Sequence, residues 1–134
     1  MRICVVAETA PRERRVALVP DSAAKLVKAG YEVVVQSGAG AAAYHDDASY
    51  ISVGATIASD AASAHAGADV VCRVQRPDEH EVALIPVDAT LISMMSPSTA
   101  GPTVAALTLR RVSVLALELV PRITRAQSMD ILSS

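Results

Sequence analysis

Short apolar runs alternate with helical patterns along the chain, and this alternation constrains its fold more than any other feature. Residues 2–7 (RICVVA) and 31–36 (YEVVVQ) are nearly continuous apolar runs, which are typical of parallel strands buried on both faces. The strands that we predict lie at residues 2–7, 31–36, 55–58, 69–75, 90–95 and 112–119.

Helix start and stop signals fill the intervals between these runs. Asp21 is the expected N-cap, and Gly30 the residue after the C-cap, of a helix over residues 21–29. The other helices that we predict lie at residues 47–53, 60–67, 79–85 and 101–111. Strands and helices that alternate at this spacing predict a parallel α/β sheet with helices on both faces. Ligands of such sheets bind outside the carboxyl ends of the strands, so the loops there are the candidates for a site.

Composition excludes several classes of protein. The 134 residues fit one domain, and the net charge of −2, with both signs mixed along the chain, argues against binding to nucleic acid. The longest apolar stretch, residues 112–120, is broken by Glu118 and is far shorter than the roughly 20 residues of a membrane span. We therefore expect a soluble chain in which Cys4 and Cys72 are free, buried thiols.

A glycine-rich loop, residues 38–43, follows the second predicted strand and fits the pattern G-x-G-x-x-A. A dinucleotide-binding loop of this kind opens a helix at once, whereas here residues 44–47 intervene, and Asp46 and Asp47 resemble the start of the helix. No acidic residue follows at the distance that ribose binding requires. We interpret the loop as a turn.

Two loops at the predicted carboxyl edge carry guanidinium groups. Arg14 and Arg15 follow the first strand, where they could hold a carboxylate or phosphate or could pair with neighbouring glutamates in solvent. Arg73 and Gln75, on one face of the fourth strand, mark either a site or a strand end that emerges into solvent.

Metal and hydrolytic chemistry have little support. His45, His65 and His80 lack the spacing of metal ligands, and we expect each of them to be solvated. No Ser-His-Asp arrangement is apparent, and no Cys-x-x-Cys motif is present.

The terminal segment is dense in polar side chains that no apolar periodicity explains. Thr124 and Gln127 fit a helix capping box, with Thr at the N-cap and Gln at the third helical position. Arg122, Asp130 and Ser133 remain unexplained by that motif, and they follow the last predicted strand. A carboxamide such as that of Gln127 can also pair with a carboxamide on a ligand.

On these residues the chain resembles the N-terminal region of the alpha subunit of proton-translocating NAD(P) transhydrogenase and, more distantly, alanine dehydrogenase. The most specific block is residues 118–134 (ELVPRITRAQSMDILSS). The supporting blocks are residues 15–17 with Pro20, 36–40, 73–77 and 81–85.

The resemblance implies a fold and a site. The fold would be a three-layer, doubly wound, mostly parallel α/β sheet, Rossmann-like or flavodoxin-like, without the second, dinucleotide-binding domain. Residues 1–120 would form the N-terminal domain, and residues 121–134 a loop and the start of a connecting helix. By the match to the family's loop, Arg122 would hold ligand oxygens, Gln127 would orient the nicotinamide, and Asp130 and Ser133 would brace the loop or the ligand.

The resemblance also implies cofactors and partners. NAD(H) would bind to the complete alpha subunit and NADP(H) to a partner beta subunit, with no metal, and a membrane domain would couple hydride transfer to proton movement. The complete protein would be a homodimer on the cytoplasmic side of an inner membrane. We expect the chain to be an N-terminal fragment that is inactive alone and that exposes apolar surface where further elements would pack.

Two departures bear on the choice of reaction. Alanine dehydrogenases have a Lys where this chain has Gln75, and a His in the region of Met94, Met95 and Ser96. Oxidation of an amine needs proton transfers and therefore titratable groups, whereas hydride transfer between two nicotinamides needs close placement of the rings. These departures favour a transhydrogenase. The alternatives are an alanine dehydrogenase-like amino acid dehydrogenase and a non-catalytic accessory module.

Overall fold

The computed structural model describes residues 1–96 and 99–119, so the segment over residues 121–134 lies outside it. Six strands alternate with five α-helices in the described region. The strands are β1 (Arg2–Val5), β2 (Glu32–Gln36), β3 (Thr56–Ala58), β4 (Val70–Cys72), β5 (Thr90–Ser93) and β6 (Ser113–Ala116). The helices are α1 (Pro20–Lys28), α2 (Asp47–Ser52), α3 (Ala61–His65), α4 (Glu79–Val82) and α5 (Gly101–Leu109).

The strands form one open sheet in the order β3-β2-β1-β4-β5-β6, and every neighbouring pair is parallel. The prediction of a doubly wound parallel sheet is confirmed. The chain winds outward from β1 to β3 and then returns to pair β4 with β1. The order of strands therefore reverses between β1 and β4, and in sheets of this type the crevice outside that point is where ligands bind.

Helix ends follow local capping chemistry, with one correction. Asp46 and Asp60 cap α2 and α3 by accepting a backbone N–H, and Asp60 was predicted to do so. Asp21 is not the N-cap of α1: the cap is Val19, because Pro20 occupies the first helical turn and places Asp21 inside the helix. Gly30 follows the C-cap with φ +99°, as predicted.

Two apolar cores lie on the two faces of the sheet. Alternate residues of β1 divide between them, since Ile3 and Val5 enter one core and Cys4 enters the other. Helices α1 and α2 pack on the first face, whereas α3, α4 and α5 pack on the second. Cys4 and Cys72 belong to different cores and are both free and buried, which confirms the prediction of free thiols.

The last strand differs from its prediction. The segment 112–119 is the most apolar of the predicted strands, yet β6 is a short edge strand that gives way to a 3-10 turn at Leu117–Leu119. Val114 and Leu115 are 41% and 45% exposed, so the expected exposed apolar surface is present here. Among the residues that the structure describes, no helix combines the length and the apolar character that a membrane span requires.

Candidate functional site at the carboxyl edge of the sheet

The point where the strand order reverses is lined by the loops that follow β1 and β4. Glu8 comes from the first loop, and its carboxylate oxygens accept the backbone N–H groups of Val74 (2.8 Å) and Gln75 (2.9 Å) from the second. Burial raises the pKa of Glu8 above its usual value, and the two backbone hydrogen bonds oppose that shift. One carboxylate thus joins the two loops.

A second carboxylate, Glu13, lies at the same junction. It accepts two hydrogen bonds from the guanidinium group of Arg15, at 3.0 Å from Nε and 2.9 Å from Nη2, and one from Gln75 Nε2 at 2.6 Å. These bonds, that from Arg15 above all, lower the pKa of Glu13 to about 2. The Glu13 side chain is 6% exposed and that of Arg15 is 44% exposed. Arg15 is therefore paired with a neighbouring glutamate, which was one of the two alternatives.

Arg73 is buried beneath this junction, which corrects the alternative of a strand end in solvent. The residue is 1% exposed, and its Nη2 pairs with Glu81 Oε2 at 2.8 Å while its Nε donates to the carbonyl of Gln75 at 2.7 Å. Strand β4 ends at Cys72, so Arg73 and Gln75 are not two positions on one strand face. The guanidinium group instead fixes the loop after β4 from below.

The turn after β5 is held from both sides. Glu118 accepts the backbone N–H of Met95 at 2.7 Å and that of Ser96 at 3.2 Å. Arg76 Nη1 donates to the Met95 carbonyl and to Thr99 Oγ1, both at 3.0 Å. Arg76 also borders an open cavity of about 300 Å³ between α4 and the start of α5.

The glycine-rich loop is a packed turn, as predicted. Asp47 accepts Ser37 Oγ at 2.6 Å and the Gly38 N–H at 2.9 Å, so these two donors are already paired. A Cβ on Gly40 would lie 2.9 Å from the ring and the hydroxyl of Tyr50. The loop therefore packs on α2 and does not offer its backbone to a pyrophosphate, since a carboxylate already faces it.

The histidines differ from one another. His80 is exposed, as expected, and His45 is half-buried. His65 was expected to be solvated, but it is 3% exposed because α3 turns it into the core, where Nδ1 lies 2.7 Å from the Ala61 carbonyl and Nε2 has no partner. Within residues 1–96 and 99–119, no three His, Cys, Asp or Glu side chains come together as a metal site would require.

The residues predicted from the resemblance to bind the nicotinamide, Arg122, Gln127, Asp130 and Ser133, lie outside the described residues. The described edge contributes residues that sequence reasoning did not select as a site. Glu8, Glu13 and Glu118 are each found within two to eight residues of a strand end, but only the structure shows that each is bound to a neighbouring loop. Their position after apolar strands was the available signal.

Fold and edge together define a class: a doubly wound α/β domain whose loops after β1, β4, β5 and β6 are joined by charged side chains. The family model described as "Alanine dehydrogenase/PNT, N-terminal domain" matches residues 4–134. The chain belongs to this family.

Individual relatives agree with the family model. An NAD(P) transhydrogenase alpha subunit of Rhodospirillum rubrum is 49% identical over 139 aligned residues, which cover 100% of this chain and 36% of the relative. A crystal structure of transhydrogenase from Sinorhizobium meliloti superposes with a TM-score of 0.89 at 37% identity, covering 97% of this chain and 39% of that one. A structure of L-alanine dehydrogenase gives a TM-score of 0.86 at 28% identity, with coverage of 94% and 34%. The chain thus spans little more than a third of the length of these proteins.

Proposed function

We propose that this chain is the N-terminal domain of an NAD(P) transhydrogenase alpha subunit and serves hydride transfer between NAD(H) and NADP(H). NAD(H) binds to the complete alpha subunit and NADP(H) to a partner beta subunit, and a membrane domain couples the transfer to proton translocation. In this proposal the complete protein is a homodimer and a peripheral component on the cytoplasmic side of an inner membrane. No metal takes part.

The observation that carries the proposal is the 49% identity to a transhydrogenase alpha subunit over the whole chain. The solved alanine dehydrogenase has a similar fold but a lower identity of 28%. Because one fold can host several reactions, the identity across the chain, and in particular the block 118–134, weighs more than the superposition.

The chemistry of the carboxyl edge is compatible with this choice. Gln75 is neutral at every accessible pH and donates its amide to Glu13, so it offers no group that takes up or releases a proton. Hydride passes between two nicotinamide rings without proton transfer, and a protein that serves this step has to hold the rings in place. The bound cofactor supplies the hydride, and the protein supplies the placement.

The site residues of the proposal belong to the unit that we assign to residues 121–134. Arg122 holds oxygens of the ligand, and Gln127 orients the nicotinamide carboxamide through its own carboxamide. Asp130 and Ser133 brace the loop or the ligand. Residues 1–120 form the domain that carries this segment.

The test is hydride transfer from NADH to NADP⁺ by the assembled protein that contains this chain. Asp130→Asn and Arg122→Ala should each lower the turnover by about tenfold or more, because small errors of placement are costly in such a reaction. Arg111→Ala is the matched control: Arg111 is an exposed residue at the opposite edge of the sheet, just before β6, and the variant should turn over at the wild-type rate. An assembled wild-type protein that transfers no hydride to NADP⁺ contradicts the proposal.

One observation favours a second candidate, an alanine dehydrogenase-like enzyme. Arg15 presents a 44% exposed guanidinium group at the point where the strand order reverses, which is a suitable position for binding a small carboxylate. Oxidation of NADH that depends on pyruvate and ammonium, together with no transfer to NADP⁺, would establish that alternative.

A further inference from the structure

The ends of four strands are connected by charged side chains that bind backbone groups of the next loop. Glu8, after β1, accepts two N–H groups from the loop after β4. Arg76, in the loop after β4, donates to the Met95 carbonyl in the turn after β5. Glu118, after β6, accepts two N–H groups of that same turn. The connection therefore runs from β1 through β4 and β5 to β6 along the carboxyl edge.

The turn after β5 has a conformation that depends on being held. Ser96 has φ +48°, in the left-handed region that residues other than glycine rarely adopt. The N–H groups of Met95 and Ser96 point to the Glu118 carboxylate, while their carbonyls accept Arg76 Nη1 at 3.0 and 3.3 Å. Opposite charges thus bind the opposite ends of the same peptide groups, and loss of either one leaves the turn held on one side only.

Glu118 is also the member of this connection that is nearest in sequence to the predicted nicotinamide-binding residues. It lies in the 3-10 turn at Leu117–Leu119, and Arg122 follows it by four residues. Four residues span at most about 14 Å even when fully extended. A displacement of Glu118 is therefore transmitted over a short covalent path to the segment that begins after it.

We propose that Glu118 is a positioning residue: by gripping the N–H groups of Met95 and Ser96 it fixes where the terminal segment leaves the sheet, and so sets the placement of Arg122 and Gln127 against the nicotinamide. The inference rests on the proposed function. Glu118 does not touch the reacting atoms, and its contribution passes through the backbone. It differs in this from a stitch that only stabilises the fold, because loss of the grip slows hydride transfer in a protein that remains folded.

Glu118→Gln in the assembled protein is the decisive variant, since it keeps the size of the side chain but replaces one acceptor by a donor that faces an N–H. We expect the kcat for transfer from NADH to NADP⁺ to fall about fivefold or more while the Kd for NADH stays within about twofold. Glu118→Asp, which retains both acceptors on a shorter side chain, should recover some of the loss. Glu79→Gln, an exposed carboxylate on α4, is the control and should behave as wild type.

Amide hydrogen exchange separates the possible outcomes. The Met95 and Ser96 amides should lose protection in Glu118→Gln, whereas the Cys72 amide in β4 should keep it. Unchanged protection, or lost protection with unchanged kcat, overturns the proposal, as does a fall in kcat that parallels loss of protection throughout the core. If the wild-type protein transfers no hydride, the proposed function fails and this positioning role fails with it, while the exchange data still report whether Glu118 grips the turn.

Discussion

Gln75 and Glu13 join the two loops at the point where the strand order reverses, with Gln75 Nε2 donating to Glu13 Oε1 at 2.6 Å. The same Glu13 carboxylate receives the guanidinium group of Arg15. A neutral amide at position 75 therefore serves a carboxylate that already has a cationic partner. The arrangement binds the loops together without a proton that could be exchanged.

Glu13 should make the protein sensitive to acid. Its pKa is lowered from 4.5 to about 2, so its contribution to stability is fully present above pH 4.5 and is lost as the pH falls toward 2. Urea unfolding between pH 4.5 and 2 should show a smaller loss of unfolding free energy for Glu13→Gln than for wild type. Glu8 does not obscure this range, because its raised pKa changes stability as the pH rises from 4.5. Glu79→Gln should keep the wild-type slope, and identical slopes for Glu13→Gln and wild type would contradict the prediction.

The buried hydroxyl of Tyr50 should be worth a measurable amount of stability. It donates to the Leu18 carbonyl at 2.7 Å, and burial raises its pKa to about 12. Tyr50→Phe leaves that carbonyl without this donor and should lower the free energy of unfolding by about 1–2 kcal/mol. Tyr44→Phe is the matched control, because Tyr44 is 90% exposed. Equal midpoints of urea unfolding for the two variants would show that the bond contributes nothing.

Arg73 should be more costly to replace than any surface arginine. Arg73→Met removes the partner of Glu81 and the donor to the Gln75 carbonyl, and it should lower the free energy of unfolding by about 2–4 kcal/mol. Arg111→Met breaks an ion pair with Asp88 whose side chains are 71% and 64% exposed, and should cost less than about 1 kcal/mol. Chemical denaturation measures both, and a ranking in the opposite order would mean that Arg73 is not held as described.

The sequence predicted the fold well because its signals are local. Apolar runs place all six strands, and Asp60 and Gly30 mark helix ends through bonds within a few residues. Asp21 was assigned wrongly as a cap because Pro20 is an equally good first helical residue and starts α1 one position earlier. Strand ends were placed too late at β4 and β6, since apolar character continues after pairing has stopped.

The described edge could be predicted much less. Arg15 pairs with a residue two positions away, which its local sequence permits. Glu8 binds a loop 66 residues further on, and Arg73 is buried only because Glu81 and the Gln75 carbonyl receive its charge and its donor. Such contacts depend on tertiary packing, which no pattern along the chain encodes. His65 was misjudged for the same reason: an alanine-rich helix does not reveal which of its faces is covered.

His65 should limit the stability of the fold at low pH. The ring is 3% exposed, its Nε2 has no partner, and burial lowers its pKa below 6.5, with Arg73 adding to the shift and Glu81 opposing it. A lowered folded-state pKa means that stability is fully present above pH 6.5 and is lost as the pH falls from there through the folded-state pKa. His65→Leu fills a similar apolar space without the unpaired nitrogen, so it should raise the free energy of unfolding by about 1 kcal/mol and flatten its decline between pH 7 and 5. Urea unfolding at several pH values measures both effects, with His80→Leu as the exposed control that should leave the curve unchanged. A steeper decline for His65→Leu than for wild type would show that the protonated ring is stabilised where it lies.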